Sequence, residues 1–420
     1  MKNIFLKIIN RILAFGARRV INRFDPYIIA VTGSVGKSST KEAIHHVLSE
    51  AFGASMVWSN AGNLNTEIGV PLTILGYKKV PGKTVWPLFV VKFLIKAMLI
   101  RSYPKYLVLE LGVDKPGDMR HLMTIFRPKI AVLTAITKAH LANFTSYEEY
   151  ASEKLLLLDS LAGDGRSVIN SDDARLVKFA DGDVIRVGIE SKSVDYRAEG
   201  IKLSLDGTEY RVTMTGRKIA VKSSLLGRQM IYSQLFALAV ADLLDLSLLK
   251  TAKSLEGIKP VSGRMRLIEG KNDISIIDDT YNASPASVSA ALDFLSDVQT
   301  NSRKVAIIGN MNELGDHSEE AHKEVAEYAK DRCDLAVFVG PYAKDMAKVF
   351  NDDGRSLVFA SRSALVPCLD GIIKDGDLVL IKASQNRNFF EEVVKLLMKN
   401  PNQAKEFLVR QGGEWNRKKR

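Results

Sequence analysis

The chain has 420 residues, 46% of them hydrophobic and 25% charged, with a formal net charge of +11. That length calls for two or three domains, and the composition excludes collagen-like, repeat and disordered architectures. Two cysteines, Cys333 and Cys368, are too few for a disulfide framework or a metal cluster, so a reducing cytoplasm is the expected compartment.

The basic charge is concentrated near the start. Residues 1–24 carry Lys2, Lys7, Arg11, Arg18, Arg19 and Arg23, and residues 76–105 carry Lys78, Lys79, Lys83, Lys92, Lys96, Arg101 and Lys105, with no acid in either stretch. No aromatic–basic interleaving accompanies them, so nucleic acid is not an expected partner. As a helix, the segment 1–26 would set Lys7, Arg11 and Arg18 on one face and Ile8, Ile9, Ile12 and Leu13 on another. Two readings stay open. The segment lies on an anionic bilayer, or it caps the domain behind it with its apolar face inward. No small-residue cleavage site follows it, which argues against a signal peptide. "VWPLFVVKFLIKAMLI" (85–100) is apolar but holds Pro87, Lys92 and Lys96, and it is too short and too charged for a span. Peripheral contact with the inner face of the cell membrane through 1–24 and 85–100 is the resulting expectation.

From residue 27 onward, short apolar runs alternate with helical patterns. "YIIAVTG" (27–33), "YLVLELG" (106–112), "KIAVLTAIT" (129–137), "DISIIDDT" (273–280), "KVAIIGN" (304–310) and "DLVLIKAS" (377–384) have the look of buried parallel strands. Helices are expected over 38–50, 147–161, 286–297 and 318–330. Short alternating runs over 181–226 suggest an inserted antiparallel patch, and the Pro/Gly cluster "GIKPVSGRMR" (257–266) suggests a boundary. The predicted class is α/β: a central P-loop domain over 27–262 with a mainly parallel sheet, then a Rossmann-like α/β domain over 263–420. Ligands of such sheets collect at the carboxyl ends of the strands. Gly33–Ser38, Glu110, His140, Asp278–Asp279, Asn310–Glu313 and Lys382 fall there.

"GSVGKS" (33–38) is a short glycine turn between a strand and a helix; Val31 stands where the long P-loop pattern has its first glycine. The backbone N–H groups of Gly33, Ser34 and Gly36, with the helix start, suit phosphate; Lys37 suits the terminal phosphate, and Ser38 or Ser39 suits Mg²⁺. Glu110 and His140 offer a carboxylate and an imidazole for a second cation. His45 and His46 fall within a helix and are taken as structural.

Seven stretches in order, namely the turn, "SNAGNLNTEIGVPLTIL" (59–75), "LVLELGVDKPGDM" (107–119), "KAHLANFTSYEEYASEK" (138–154), "SGRMRLI" (262–268), "IIDDTYNASPAS" (276–287) and "GNMNELGDHSEEAH" (309–322), resemble the Mur ligases. The resemblance implies an ATP-dependent amide-bond ligase: ATP phosphorylates a carboxylate, and an amine displaces phosphate from the acyl phosphate. The amine it implies is D-alanyl-D-alanine or similar, and the acid a cell-wall peptide precursor. It implies that Lys37 and Ser38 serve the phosphates and Mg²⁺, that Glu110 and His140 hold metal, and that Lys154 is carbamylated to hold a second Mg²⁺. Asn63 and Asn65 match a substrate-side loop. Arg264, Asp279, Tyr281 and Asn282 match residues closing over ATP. Lys382 and Ser384 match a stretch for the incoming dipeptide.

The sequence departs from the family pattern at four places. The family places a uridine-nucleotide-binding domain ahead of the P-loop, where this sequence has only the basic segment, so a lipid-linked acyl substrate fits as well as a soluble one. Gln229, Met230 and Ser233 occupy the positions that meet adenine, Ala135 replaces an asparagine before His140, and Gln385 stands for an arginine that Arg387 would have to supply. A polyglutamate- or capsule-type ligase, a P-loop kinase and a catalytically silent subunit remain the alternatives.

Overall fold

Short apolar runs bounded by glycine and polar residues form buried strands, and they order this chain around two sheets. The computed structural model describes residues 2–82, 85–137, 143–179, 183–214, 216–350, 354–385, 388–413, 415 and 419. The chain opens with α1 (Lys2–Phe24), β1 (Tyr27–Thr32), α2 (Lys37–Phe52), β2 (Val57–Ser59), α3 (Gly69–Ile74), α4 (Trp86–Leu99) and β3 (Tyr106–Glu110). It continues through α5 (Asp118–Met123), β4 (Ile130–Leu133), α6 (Tyr147–Asp159), β5 (Arg166–Asn170) and β6 (Val184–Gly188), then β7 (Tyr196–Ser204), β8 (Gly207–Met214) and β9 (Arg217–Ser223).

Among the described residues these strands form one sheet in the order β2-β3-β1-β4-β5-β6-β7-β8-β9. β1 lies between β3 and β4, parallel to both, in a register that sets Val31 beside Glu110 and Thr32 beside Leu133. The chain leaves β1 for β2 and β3 on one side and then crosses to β4 on the other. The carboxyl end of β1 is therefore a topological switch point, the place where open α/β sheets bind ligands. The run at 184–188 differs from expectation. It pairs parallel with β5, Ser167 beside Val184, and with β7, Val187 beside Tyr196, so parallel pairing reaches into the stretch expected to be antiparallel. Five residues are too few for alternation to separate the two kinds of strand.

α1 packs on α3 and α4. Ile9, Leu13, Ala17, Val20 and Ile21 are buried in the core that also holds Ile28, Leu107 and Phe93. A Cβ at Gly16 would lie 2.7 Å from Phe93 Cε1, so only glycine allows α1 and α4 this close. Arg23 Nη1 donates to the Met98 carbonyl at 3.2 Å, fixing the far ends of the two helices. At about 1.5–3 kcal/mol for each large aliphatic side chain buried, this face is committed to the protein interior. Ile9 and Leu13 are turned inward, as the cap reading expects, whereas Ile8, expected on the same face, is exposed. Among the described residues, no helix is long and apolar enough to cross a membrane.

The second sheet, among the described residues, has the order β10-β11-β15-β12-β13-β14, built from β10 (Arg266–Glu269), β11 (Ser275–Asp279), β12 (Lys304–Ile308), β13 (Leu335–Val339), β14 (Ser356–Phe359) and β15 (Leu378–Lys382). β10 runs antiparallel to β11 and the rest are parallel, with Lys382 registered beside both Asp279 and Ile308. The chain divides into two compact units: Met1–Glu199 with Tyr210–Val221 and Ile231–Glu256, and Gly200–Glu209 with Lys222–Met230 and Gly257–Arg420. His46, on α2, lies in the first, its Nε2 2.8 Å from the Ser254 carbonyl oxygen.

Candidate active site

In the first unit the glycine turn sits at the switch point, between the ends of β3 and β4. Gly33 has φ 146°, and a Cβ on it would come within 2.1 Å of Thr134 Oγ1, so the turn presses directly on the segment after β4. That segment holds the turn in place. Thr134 Oγ1 donates to the Val35 carbonyl at 2.5 Å, Ser34 N–H donates to the Ala135 carbonyl at 2.6 Å, and Thr137 N–H donates to Ser34 Oγ at 2.9 Å. Ser34 Oγ also lies 3.0 Å from the Tyr150 hydroxyl on α6. Lys37 folds back over the turn, donating to the Gly33 and Ser34 carbonyls at 2.8 and 3.0 Å. Gly36 precedes α2, and Ser38 and Ser39 lie in its first turn, half-buried and buried. The start of a helix, where the first N–H groups have no helical carbonyl to meet, suits an anion.

Glu110, at the end of β3, is buried. Its Oε1 accepts from Asn65 Nδ2 at 2.9 Å, while its Oε2 is buried with no partner among the described residues. An orphaned carboxylate oxygen beside a phosphate loop is a donor suited to a hard cation such as Mg²⁺. Asn60 fixes this strand end: Glu110 N–H donates to Asn60 Oδ1 at 2.8 Å, and Asn60 Nδ2 donates to the Glu110 carbonyl at 2.7 Å. Gly112 N–H donates to the Asn65 carbonyl at 2.7 Å, so the 60–65 loop is clamped onto the end of β3, with Asn63 exposed on it. Lys154, on α6, is buried with its ammonium 4.5 Å from the Tyr150 ring centroid. Burial first, and then the nearby charge of Lys37, hold its pKa well below the usual lysine range. His140 and Arg387 lie outside the described residues. Among those described, no group of three His, Cys, Asp or Glu side chains forms a metal cage.

The second unit gathers a separate set at the ends of β11, β15 and β12. Lys382 Nζ, buried, donates to Asp279 Oδ2 at 2.5 Å and to the Asn282 carbonyl at 3.0 Å. Ser384 Oγ donates to the Ala283 carbonyl at 2.8 Å and accepts from Asn312 N–H at 2.9 Å. The Arg264 guanidinium lies over the Tyr281 ring, 4.2 Å from its centroid, and Tyr281 N–H donates to the Gly263 carbonyl at 2.9 Å. Three further residues, not singled out in the sequence, hold these loops. His322 Nε2 accepts from Met311 N–H at 2.9 Å, and Arg410 forms a forked pair with the buried Glu391, at 3.1 and 2.8 Å, while donating to the Thr280 carbonyl at 2.7 Å.

Asp278 is fully buried, accepting from Gly263 N–H at 3.1 Å and from Thr280 Oγ1 at 2.6 Å, and burial raises its pKa from 3.8 to about 6. The native state therefore holds a proton that the unfolded chain releases. The stability this supplies is complete below the unfolded pKa and is lost as pH rises through about 6, amounting to about 3 kcal/mol. Denaturant unfolding followed from pH 4 to pH 7 should show this slope, and Asp278→Asn should flatten it whatever its effect on absolute stability.

A family model for the Mur ligase middle domain matches residues 31–241, and one for the Mur ligase, glutamate ligase domain matches residues 263–385. The chain belongs to the Mur ligase family. Its UDP-N-acetylmuramoyl-tripeptide–D-alanyl-D-alanine ligase relative from Bacillus subtilis (strain 168) is 29% identical over 390 residues, 92% of this chain and 79% of that one. The Escherichia coli (strain K12) ligase of the same name is 29% identical over 396 residues, 92% and 81% of the two chains. The crystal structure of MurF ligase from Thermotoga maritima in complex with ADP is similar with a TM-score of 0.77 at 25% identity, covering 94% of this chain and 84% of that one. Mur ligases are ATP-dependent enzymes that form peptide bonds, and this Mur ligase has the family's fold.

Proposed function

We propose that the protein joins D-alanyl-D-alanine, or an amine like it, to the free carboxylate of a cell-wall peptide precursor. ATP drives the reaction through an acyl phosphate. One observation carries the site assignment: Lys37, the orphaned Glu110 oxygen and the buried Lys154 belong to the elements that enclose a single phosphate loop. The relatives' names supply the substrates.

In this reading Gly33, Ser34, Gly36, Lys37, Ser38 and Ser39 hold the triphosphate. Ser38, Glu110, His140 and carbamylated Lys154 would hold two Mg²⁺ ions, which would neutralise charge between carboxylate and triphosphate. Lys37 exchanges its two loop carbonyls for phosphate oxygens and so draws charge off the transferring phosphoryl group. A carboxylate oxygen of the acyl substrate attacks the terminal phosphorus and ADP leaves. The amine nitrogen then attacks the acyl carbon, phosphate departs with the bond electrons, and the amine gives up a proton. Lys154, whose charged form is disfavoured by burial and then by Lys37, gives up a proton to expose the lone pair that adds to CO₂, and a second proton leaves as the carbamate forms. Asn63 and Asn65 contact the acyl substrate; Arg264, Asp279, Tyr281 and Asn282 serve the nucleotide; Lys382 and Ser384 serve the dipeptide. The protein works in the cytoplasm, at the inner face of the membrane, which it touches through residues 1–24 and 85–100.

Incubation of the full chain with ATP, Mg²⁺, D-alanyl-D-alanine and tripeptide-bearing precursors, soluble and lipid-linked, tests this. The expected result is ADP and a product whose mass is the sum of the two substrates less water. A stable phosphorylated acid would assign a kinase instead, and no ADP with any acid–amine pair would remove the ligase reading.

A further inference from the structure

The outward face of α4 is built the wrong way round for a helix in water. Leu88, Val91, Ile95, Met98 and Leu99 share one side of it and are between 46% and 69% exposed, while Trp86, Phe93 and Ala97 on the opposite side are buried. A surface helix ordinarily presents polar residues on that outer arc. Here the two polar residues of α4 are Lys92 and Lys96, and the Lys96 ammonium lies 4.4 Å from the Tyr77 ring centroid. Beside α4, the outer side of α1 exposes Ile8 and Phe15 among Arg11, Arg18 and Arg19. Neither helix contains an acidic residue.

We propose that the α1–α4 face docks on an anionic lipid bilayer, with α4 in the plane of the interface, its Leu88–Val91–Ile95–Met98 stripe among the acyl chains and the surrounding arginines and lysines on lipid phosphates. This deepens the membrane contact proposed above and rests on it, but it is independent of the ligase chemistry. A span is excluded by length: the 14 residues of α4 reach about 21 Å, against roughly 30 Å of hydrocarbon. A second copy of the chain is disfavoured by charge, since pairing two such faces would bring cations against cations. An anionic surface takes the apolar stripe and the cations together. The inward face of α1, with the stronger apolar periodicity, takes no part because it is already buried.

The test is co-sedimentation of the full chain, without ATP, with phosphatidylcholine vesicles containing or lacking about one-third phosphatidylglycerol. Val91→Gln/Ile95→Gln removes the stripe from a solvent-facing surface. Leu249→Gln serves as control, since Leu249 is 71% exposed on the separate helix Leu248–Leu255. We expect wild type and the control to bind the anionic vesicles, with binding falling as salt rises, and the double variant to bind about tenfold or more weakly. ADP release with a soluble acid and amine should be unchanged in the double variant, so loss of docking and loss of the ligase reaction are read separately. The proposal is overturned if wild type does not bind, if it binds neutral vesicles equally well, or if the double variant binds like wild type. A wild-type dimer that the double variant dissociates, with no vesicle binding, assigns the face to a second copy and overturns it too.

Discussion

Lys37→Ala is expected to abolish condensation, lowering turnover by about a thousandfold or more while leaving the fold intact. The side chain lies across the mouth of the glycine turn with its ammonium on two backbone carbonyls. Truncation therefore removes a cation from the place where triphosphate and carboxylate charges crowd, without opening the core. Glu110→Gln should lose activity to a similar degree for a different reason. Glutamine can still accept the Asn65 hydrogen bond, so the loop should stay in place while the orphaned oxygen and its charge are lost. ADP release and product mass, with thermal denaturation as the folding control, decide the matter. Full activity in either variant would discard the site assignment.

The second large effect concerns Lys154. Its ammonium is disfavoured by burial and then by Lys37, so in the folded protein the neutral amine is unusually accessible, and a carbamate there would replace a repelled cation by an anion beside one. Stripping CO₂ from the assay should depress activity and bicarbonate should restore it. Lys154→Ala should cost about a hundredfold or more, become indifferent to bicarbonate, and regain part of its activity with a short carboxylic acid that fills the space. Full turnover in CO₂-free buffer, together with an active Lys154→Ala enzyme, would remove the carbamate from the proposal.

The strands were legible because a strand buried on both faces must be apolar throughout, and few other structures leave such short runs bounded by glycine and polar residues. The glycine turn was legible because strand, turn and helix follow within a dozen residues. Lys154 was not. In "YEEYASEKLLLLD" it sits among acids that predict a solvated face, and only the packing of α6 on α5 and the core of the first unit buries it; the family resemblance, rather than the residues, points to it. Asn60 stands inside a motif with nothing in its neighbours to mark its role, because its work is to fix a backbone fifty residues away. Arg410 and Glu391 left no pattern at all: neither stands in a motif, and only the tertiary fold shows that the pair pins Thr280. Over 1–24 the sequence displayed an apolar stripe but could not say whether protein or lipid would cover it. In 85–100 nearly every residue is apolar, so periodicity could not separate a covered side from a bare one.

The close seating of α1 against Phe93 has a corollary for stability. A stretch of positive residues at the front of a chain looks like a detachable address label, acquired or shed without touching the machine behind it. Here Gly16 leaves no room for the label to be swapped for another helix of similar charge, and losing it would lay bare Phe93 and the strand residues beneath. The cationic leading helix is thus a structural member of the first unit, and cutting it away should cost that unit its stability.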